Sequence, residues 1–235
     1  MLDERFKRMK FDQLIFEQVL VEGCDRFGLN ISAFQEEQLK VFINEFIKWN
    51  AVHNLSSVNS FDALMRAHLL DSMAVVSPVD VYIKKLINDK EMKVADLGSG
   101  GGFPSVILTI LLPHIKFYAI ESIKKKTAFL QNIKTRLRLE NYTVVDQRIE
   151  NFAKQNPHVF DATISRAFTE LNNFLKYSQS LIKTESYVFA MKSQRVEEEL
   201  KGVIDEWNLI ENIDLKIPGL DAYRCLLIIS SMRKY

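Results

Sequence analysis

Gly98, Gly100, Gly101 and Gly102 place half of the chain's eight glycines inside five residues. Average usage of roughly 7% would predict about twice as many glycines in a chain of this length. Glycine is therefore avoided almost everywhere and concentrated once. The segment reads VADLGSGGGFP at 94–104, between the strand-like run Lys93–Leu97 and a helical stretch, Ser105–Leu112. Glycines there let the backbone turn sharply and approach a ligand at the carboxyl end of a strand, where open sheets bind ligands. A tight strand-to-helix turn with no ligand is the plainer alternative, and the local glycine excess weighs against it.

The rest of the chain supplies a frame for such a loop. Strand-like runs fall at Lys93–Leu97, Lys116–Glu121, Tyr142–Asp146, Asp161–Ser165, Tyr187–Met191, Leu209–Lys216 and Arg224–Ser230. Helix-sized segments separate the first five, the pattern of a largely parallel sheet. Only IPGLDAY joins the last two, which predicts a hairpin and one antiparallel strand at or near an edge. Upstream the texture is helical. Leu39, Phe42, Ile43 and Phe46 form one apolar stripe, and Ser32 with Gln35 makes a capping box ahead of it. A further helix is expected from a Ser60 cap towards Val76, ended by Pro78. The expected organisation is an α/β sheet domain over 86–235 preceded by a helical N-terminal cap over 1–85.

Composition narrows the function classes. The chain carries 31 Lys+Arg against 30 Asp+Glu, for a net charge of +1, with 47% hydrophobic and 26% charged residues. These are globular values that exclude disorder, collagen and coiled coil. Near-neutrality argues against DNA coating. A local basic run, Lys124–Arg138, holds six bases and no acid, facing in charge an acidic stretch with Glu197, Glu198, Glu199, Asp205 and Glu206. Solvated helix faces are the plainer reading of both runs. Cys24 and Cys225 lack any C-x-x-C spacing, so neither a disulfide framework nor a metal site is expected. The N-terminus has no signal-peptide pattern, and the longest apolar stretch, Val106–Leu112, is far below the ~20 residues of a membrane helix. A soluble cytoplasmic protein is expected, with no membrane partner.

Three ligands compete for the glycine loop: a dinucleotide, a nucleotide phosphate and S-adenosylmethionine. No Gly-Lys-[Ser/Thr] follows, which removes the phosphate loop. The dinucleotide fingerprint fails at Phe103, and a bulky Phe-Pro obstructs a pyrophosphate at the helix start. What remains is D-x-G-x-G-x-G, with Asp96, Gly98, Gly100 and Gly102. An acid before the loop repels a pyrophosphate but suits the ammonium of a methionine moiety. Glu121 ends the second strand, placed to accept the ribose hydroxyls. Asp146 to Glu150 follow the third strand, where an adenine would be framed.

The acceptor is narrowed by what is missing. No Asn/Asp-Pro-Pro-aromatic segment follows the fourth strand, which ends Ser165-Arg166-Ala167-Phe168, and Asn156-Pro157 precedes that strand. Neither cysteine is placed for nucleophilic attack on a pyrimidine. Guanine N7 carries a lone pair and no proton, so transfer to it needs alignment and electrostatic support but no general base.

HNLSSV at 53–58, RAHLLDS at 66–72, VADLGSGGGFP at 94–104, AIES at 119–122, ISRAF at 164–168 and AMKS at 190–193 occur in order across most of the chain. Together they resemble the bacterial 16S ribosomal RNA guanine-N7 methyltransferases, also called glucose-inhibited division protein B. The resemblance implies a Rossmann-like class I S-adenosylmethionine-dependent methyltransferase sheet. It also implies methylation of a guanine in small-subunit rRNA near the decoding region. By motif, Gly98 and Phe103 would line the cofactor loop, Ile149 and Glu150 would frame the adenine, and Arg166 would contact cofactor or RNA. Gly101 stands where that family often has proline, a position that tolerates both.

On a helical wheel, His68 and Ser72 share a stripe with Phe61, Leu64 and Met65, with Asp71 one turn away. A buried, satisfied histidine is the plainer reading. The resemblance instead puts RAHLLDS beside the cofactor, with Arg66, His68 and Lys192 as substrate contacts. Arg224 is more ambiguous. No general base is expected, and Arg166 and His68 are the candidates for positioning the substrate. The expected partner is 16S rRNA or the small subunit, with S-adenosylhomocysteine as the released product, no metal, and a monomeric enzyme. Two alternatives stay open: a methyltransferase for a small molecule or protein, and a non-catalytic RNA-binding module on the same fold.

Overall fold

The computed structural model describes residues 9–86, 91–193, 196, 199–200 and 206–231. Seven strands form one sheet: β1 (Met92–Leu97), β2 (Ile115–Glu121), β3 (Tyr142–Asp146), β4 (Phe160–Arg166), β5 (Ile182–Lys192), β6 (Trp207–Asp214) and β7 (Cys225–Ser231). Their order is β3-β2-β1-β4-β5-β7-β6. β7 pairs antiparallel with both β5 and β6, and the pairings of β1 to β5 are parallel. The expected hairpin is therefore present, with its antiparallel strand one place in from the edge. β1 pairs with β2 on one side and β4 on the other. That is the point where strand order reverses, and the crevice outside it is where open sheets bind ligands.

Both faces of the central strands are covered, so alternate side chains enter different cores. Val94, Phe117 and Ala119 join Phe42, Phe129 and Leu130 on one face. Ala95, Leu97 and Ile120 join Phe160, Phe174 and Leu175 on the other. The first face is built from α1 (Gln13–Phe27), α2 (Ala33–His53), α5 (Val76–Lys85), α6 (Ser105–Leu111) and α7 (Lys124–Leu137). The second takes α8 (Ile149–Gln155) and α9 (Leu171–Gln179). The basic run is thus a helix. Thr127, Phe129, Leu130, Ile133 and Leu137 are buried under it, and Lys124 pairs with Asp146 at 2.6 Å.

The capping box forms as the sequence predicts. Ser32 N–H donates to Gln35 Oε1 at 3.0 Å, and Gln35 N–H donates to Ser32 Oγ at 3.2 Å. Leu39, Phe42, Ile43 and Phe46 are all buried. Phe42 and Phe46 lie 4.9 and 5.1 Å from the Phe103 ring, ring centre to ring centre. The N-terminal helices therefore share one core with the sheet and reach its glycine loop.

The helix capped by Ser60 departs from expectation. α3 (Phe61–Leu64) passes into a wider π-helical segment, Met65–Leu70, before α4 (Asp71–Met73). Pro78 does not end it. Pro78 sits in the first turn of α5, where its missing N–H would have no intrahelical acceptor in any case. Of the acidic stretch, Glu197, Glu198 and Asp205 lie outside the described residues, whereas Glu199 and Glu206 are described. Among the described residues no helix is long and apolar enough to cross a membrane.

Because Phe42 ties the helical cap to the loop, Phe42→Ala should lower unfolding free energy by about 3–5 kcal/mol. Urea denaturation followed by circular dichroism measures it. A shift below about 1 kcal/mol would mean that the cap contributes little to the shared core.

Candidate functional site

The glycine loop leaves β1 with Gly98 at φ 73°. This left-handed conformation is one that side chains rarely adopt. A Cβ at Gly98 would lie 2.3 Å from Phe168 Cδ2, so glycine is also required by the close approach of that ring. Gly101 answers a different neighbour: its Cβ would lie 2.7 Å from Phe46 Cε2, on the side of the N-terminal helices. One loop thus offers backbone to the ligand crevice and accepts an aromatic ring from behind.

Glu121 ends β2 as expected and is buried. Its Oε2 accepts from Gly100 N–H at 3.1 Å, and its Oε1 accepts from Ser122 and Ile123 N–H at 2.8 and 2.9 Å. A carboxylate held by three N–H groups has a fixed orientation and spare lone pairs for hydroxyl donors. Gly98, Glu121, Gln147, Arg148, Ile149, Glu150, Phe168 and Tyr177 line a cavity of about 180 Å³. Tyr177 reaches it from α9 and donates its hydroxyl to Glu150 Oε1 at 3.1 Å. No sequence spacing announces Tyr177, because α9 is brought there only by the crossover to β5.

Asp96 is 1% exposed beneath the loop. Its Oδ2 has no hydrogen-bonding partner among the described residues. Burial pushes the carboxyl from 3.8 up to about 6, against hydrogen bonds from Ser105 and Ser99 that lower it. An orphaned buried carboxylate oxygen here fits an ammonium donor, the feature the sequence assigned to it.

A second cavity, of about 500 Å³, opens beyond β4 and β5 and includes His68, Asp71, Arg166, Phe168, Lys192 and Arg224 in its wall. Asp71 joins two arginines. Arg166 Nη1 donates to Asp71 Oδ2 at 3.2 Å and to the Ala67 carbonyl at 2.9 Å, while Arg224 Nε lies 3.5 Å from Asp71 Oδ1. Burial pushes the Asp71 carboxyl upward, and the two guanidiniums oppose it. Lys192 is paired with Glu199 at 2.6 Å. His68 donates from Nδ1 to the Ala67 carbonyl at 2.9 Å, which leaves Nε2 to accept the Ser56 hydroxyl at 2.7 Å. Burial and the Arg166 charge lower its pKa to about 3, so it is a neutral wall residue with both ring nitrogens engaged.

Two assigned residues lie elsewhere. Arg66 is absent from both cavity walls. Its guanidinium binds Glu22 at 2.8 Å, Asp62 at 2.9 Å and the Pro218 carbonyl at 2.9 Å, tying α1 to the loop before β7. With two carboxylates and a carbonyl around it, the Arg66 guanidinium ties these elements together, and the structure places it apart from the two cavities. Phe103 is buried among Phe42, Phe46 and His68, with Arg166 5.6 Å from its ring centre. Its ring props the loop and Arg166 from behind and does not line either cavity. A Cβ at Gly100 would meet only Gly98 O at 3.7 Å and Lys126 Nζ at 4.0 Å, Ile149 and Glu150 meet Glu121 at the smaller cavity, and Arg166, His68 and Lys192 meet at the larger. Asp71 and Arg224 belong with the latter group. The i, i+3 spacing of His68 and Asp71 was the available signal for Asp71. Among the described residues, no group of three or more His, Cys, Asp or Glu is placed to hold a metal ion.

Strand order, loop and crevice define a class I methyltransferase fold. Solved structures agree at the level of fold. An rRNA methylase from Streptococcus thermophilus matches with TM-score 0.50 and 15% identity over 66% of this chain and 95% of its own. TrmN from Thermus thermophilus matches with TM-score 0.51 and 13% identity over 72% of this chain and 53% of its own. The family profile described as "GidB: rRNA small subunit methyltransferase G" matches residues 35–227. Ribosomal RNA small subunit methyltransferase G of Polynucleobacter asymbioticus is 41% identical over 93% of this chain and 97% of its own length. The corresponding Azoarcus protein is 34% identical over 90% and 94%. The chain belongs to the rRNA small subunit methyltransferase G family.

Two outcomes follow from the loop. Gly98→Asp should lower cofactor affinity by roughly tenfold or more, about 1.4 kcal/mol, with the fold kept. Calorimetry with S-adenosylhomocysteine reads it, and unchanged affinity would move the cofactor elsewhere. For Asp96, the folded pKa lies above the unfolded one, so its contribution favours the fold at low pH and is lost as pH rises through about 6. Asp96→Asn should therefore stabilise the cofactor-free chain at pH 7.5 by about 2–3 kcal/mol, with the gain shrinking towards pH 4.5. Thermal unfolding at the two pH values checks this.

Proposed function

We propose that the chain transfers a methyl group from S-adenosylmethionine to N7 of a guanine in 16S rRNA. The carrying observation is the wall of the larger cavity, which presents Arg166, Arg224 and Lys192 together with a histidine held neutral and fully engaged. Such a wall attracts a phosphate-bearing base, and its described carboxylates, Asp71 and Glu199, are both paired with cations rather than free to take a proton, which transfer to N7 does not require to be removed. The family membership supports an rRNA substrate.

S-adenosylmethionine supplies an electrophilic methyl on a sulfonium sulfur, with S-adenosylhomocysteine as the product. In this reading Asp96 takes the ammonium, and Gly98 and Gly100 give backbone room along the loop. Glu121 accepts the ribose hydroxyls, while Ile149 and Glu150 border the adenine with Tyr177. Arg166, held by Asp71 and the Ala67 carbonyl, spans from the back of the loop to the acceptor cavity. Lys192 and Arg224 meet the RNA. His68 positions the cavity wall through Ser56 and Phe103. Residues 1–85 act as a cap on a catalytic unit over 86–235, and the enzyme works as a cytoplasmic monomer on the small subunit or its RNA.

The test is methyl transfer to small-subunit particles and to naked 16S rRNA, followed by borohydride–aniline scission. N7-methylguanine cleavage is expected. Its absence, or transfer to protein or a small molecule instead, would overturn the reading. Arg166→Ala should slow transfer about a hundredfold while the chain stays folded, because Arg224 still faces Asp71. Wholesale unfolding in a thermal scan would make Arg166 a structural residue.

A further inference from the structure

Phe168 stands where the two cavities meet and lines both. It follows Ala167, which turns the chain at the end of β4 with φ 51°, a left-handed conformation uncommon for a non-glycine residue. That turn lays the ring over Gly98, where the missing Cβ makes room for it. The ring centre is 6.0 Å from Tyr177, yet Phe168 stays 38% exposed while Ile164, Ser165 and Phe174 around it are buried. A core phenylalanine hides its faces. This one is carried by a strained turn to the seam between the cofactor-side and acceptor-side cavities and keeps part of its surface open.

We propose that Phe168 contacts the substrate directly, as the platform on which the acceptor guanine stacks, and that its ring face supports the positive charge formed there. The inference rests on the guanine-N7 reading above. In that reaction N7 contributes its lone pair to the new bond with the methyl carbon. The carbon–sulfur electron pair stays on sulfur, and no proton leaves. The purine ring therefore acquires the positive charge that the sulfonium gives up. Arg166 and Arg224 near the same cavity disfavour a new cation, and Asp71 between them offsets only part of that. An aromatic face attracts a cation through its quadrupole and stacks on a neutral base, so its interaction grows as charge moves onto the purine. The same ring rests over Gly98 and borders both the cavity that takes the cofactor in this reading and the one that takes the base.

The experiment uses the full chain with Phe168→Leu, which keeps an apolar filler without a π face, and Phe168→Tyr, which keeps the ring. Affinity for S-adenosylhomocysteine is read by calorimetry, folding by thermal unfolding, and methyl transfer to small-subunit particles by kcat, KM and aniline scission. Phe168→Leu is expected to keep its melting temperature while kcat/KM on small-subunit particles falls by roughly ten- to hundredfold, well beyond any accompanying loss of affinity for S-adenosylhomocysteine. Phe168→Tyr should restore transfer to near the parent value. Equal activity of the Leu variant and the parent, or equal loss in the Leu and Tyr variants, would overturn the proposal. A parent chain that yields no N7-methylguanine scission brings down the reaction itself, and that outcome is seen before any variant is compared.

Discussion

The contact on which the rest of the structure depends is the packing of Phe42 and Phe46 against Phe103 and the back of the glycine loop. Gly101 has no side chain where Phe46 arrives, and Phe103 lies between both rings and His68. The loop's shape on its ligand side is thereby set from the side of the N-terminal helices. A loop with this many backbone freedoms would otherwise lose conformational entropy on ordering for each ligand it bound. The aromatic packing orders it in advance. The same contact explains why the helices of residues 9–86 and the sheet share one core.

Charge in the larger cavity is arranged by pairing. Asp71 draws Arg166 and Arg224 to its two oxygens, and Glu199 holds Lys192. Like charges of this kind would repel one another without the carboxylates between them. The pairs keep the side chains in place along the cavity wall. The neutral His68 belongs to the same scheme. An imidazolium so close to Arg166 is disfavoured, and the ring instead stacks 5.0 Å from Phe103 and accepts the Ser56 hydroxyl.

Much of this was legible in the residues. The glycine cluster, Asp96 and Glu121 lie at strand ends, and strand ends follow from short apolar runs and the turns that bound them. The Ser32 capping box is a local device, so its reading needs nothing distant. The contacts of Arg66 and Phe103 were not legible, because their partners, Glu22, Pro218 and Phe42, are far away in the chain. Pro78 was misread because proline is tolerated in a helix's first turn as well as just beyond its end. Tyr177 and Phe168 carry no spacing of their own, and their neighbours in the site come from separate crossovers.

The sequence by itself determined the sheet, the ligand-facing loop and the kind of ligand that loop tolerates, since alternation, glycine placement and the sign of Asp96 act over a few residues. Tertiary structure alone decided which bases line the larger cavity and which tie distant elements together. It also decided which aromatic stands exposed at the seam. A charge becomes available or committed according to the carboxylates that long-range packing brings within about 4 Å of it, and no local pattern specifies that distance.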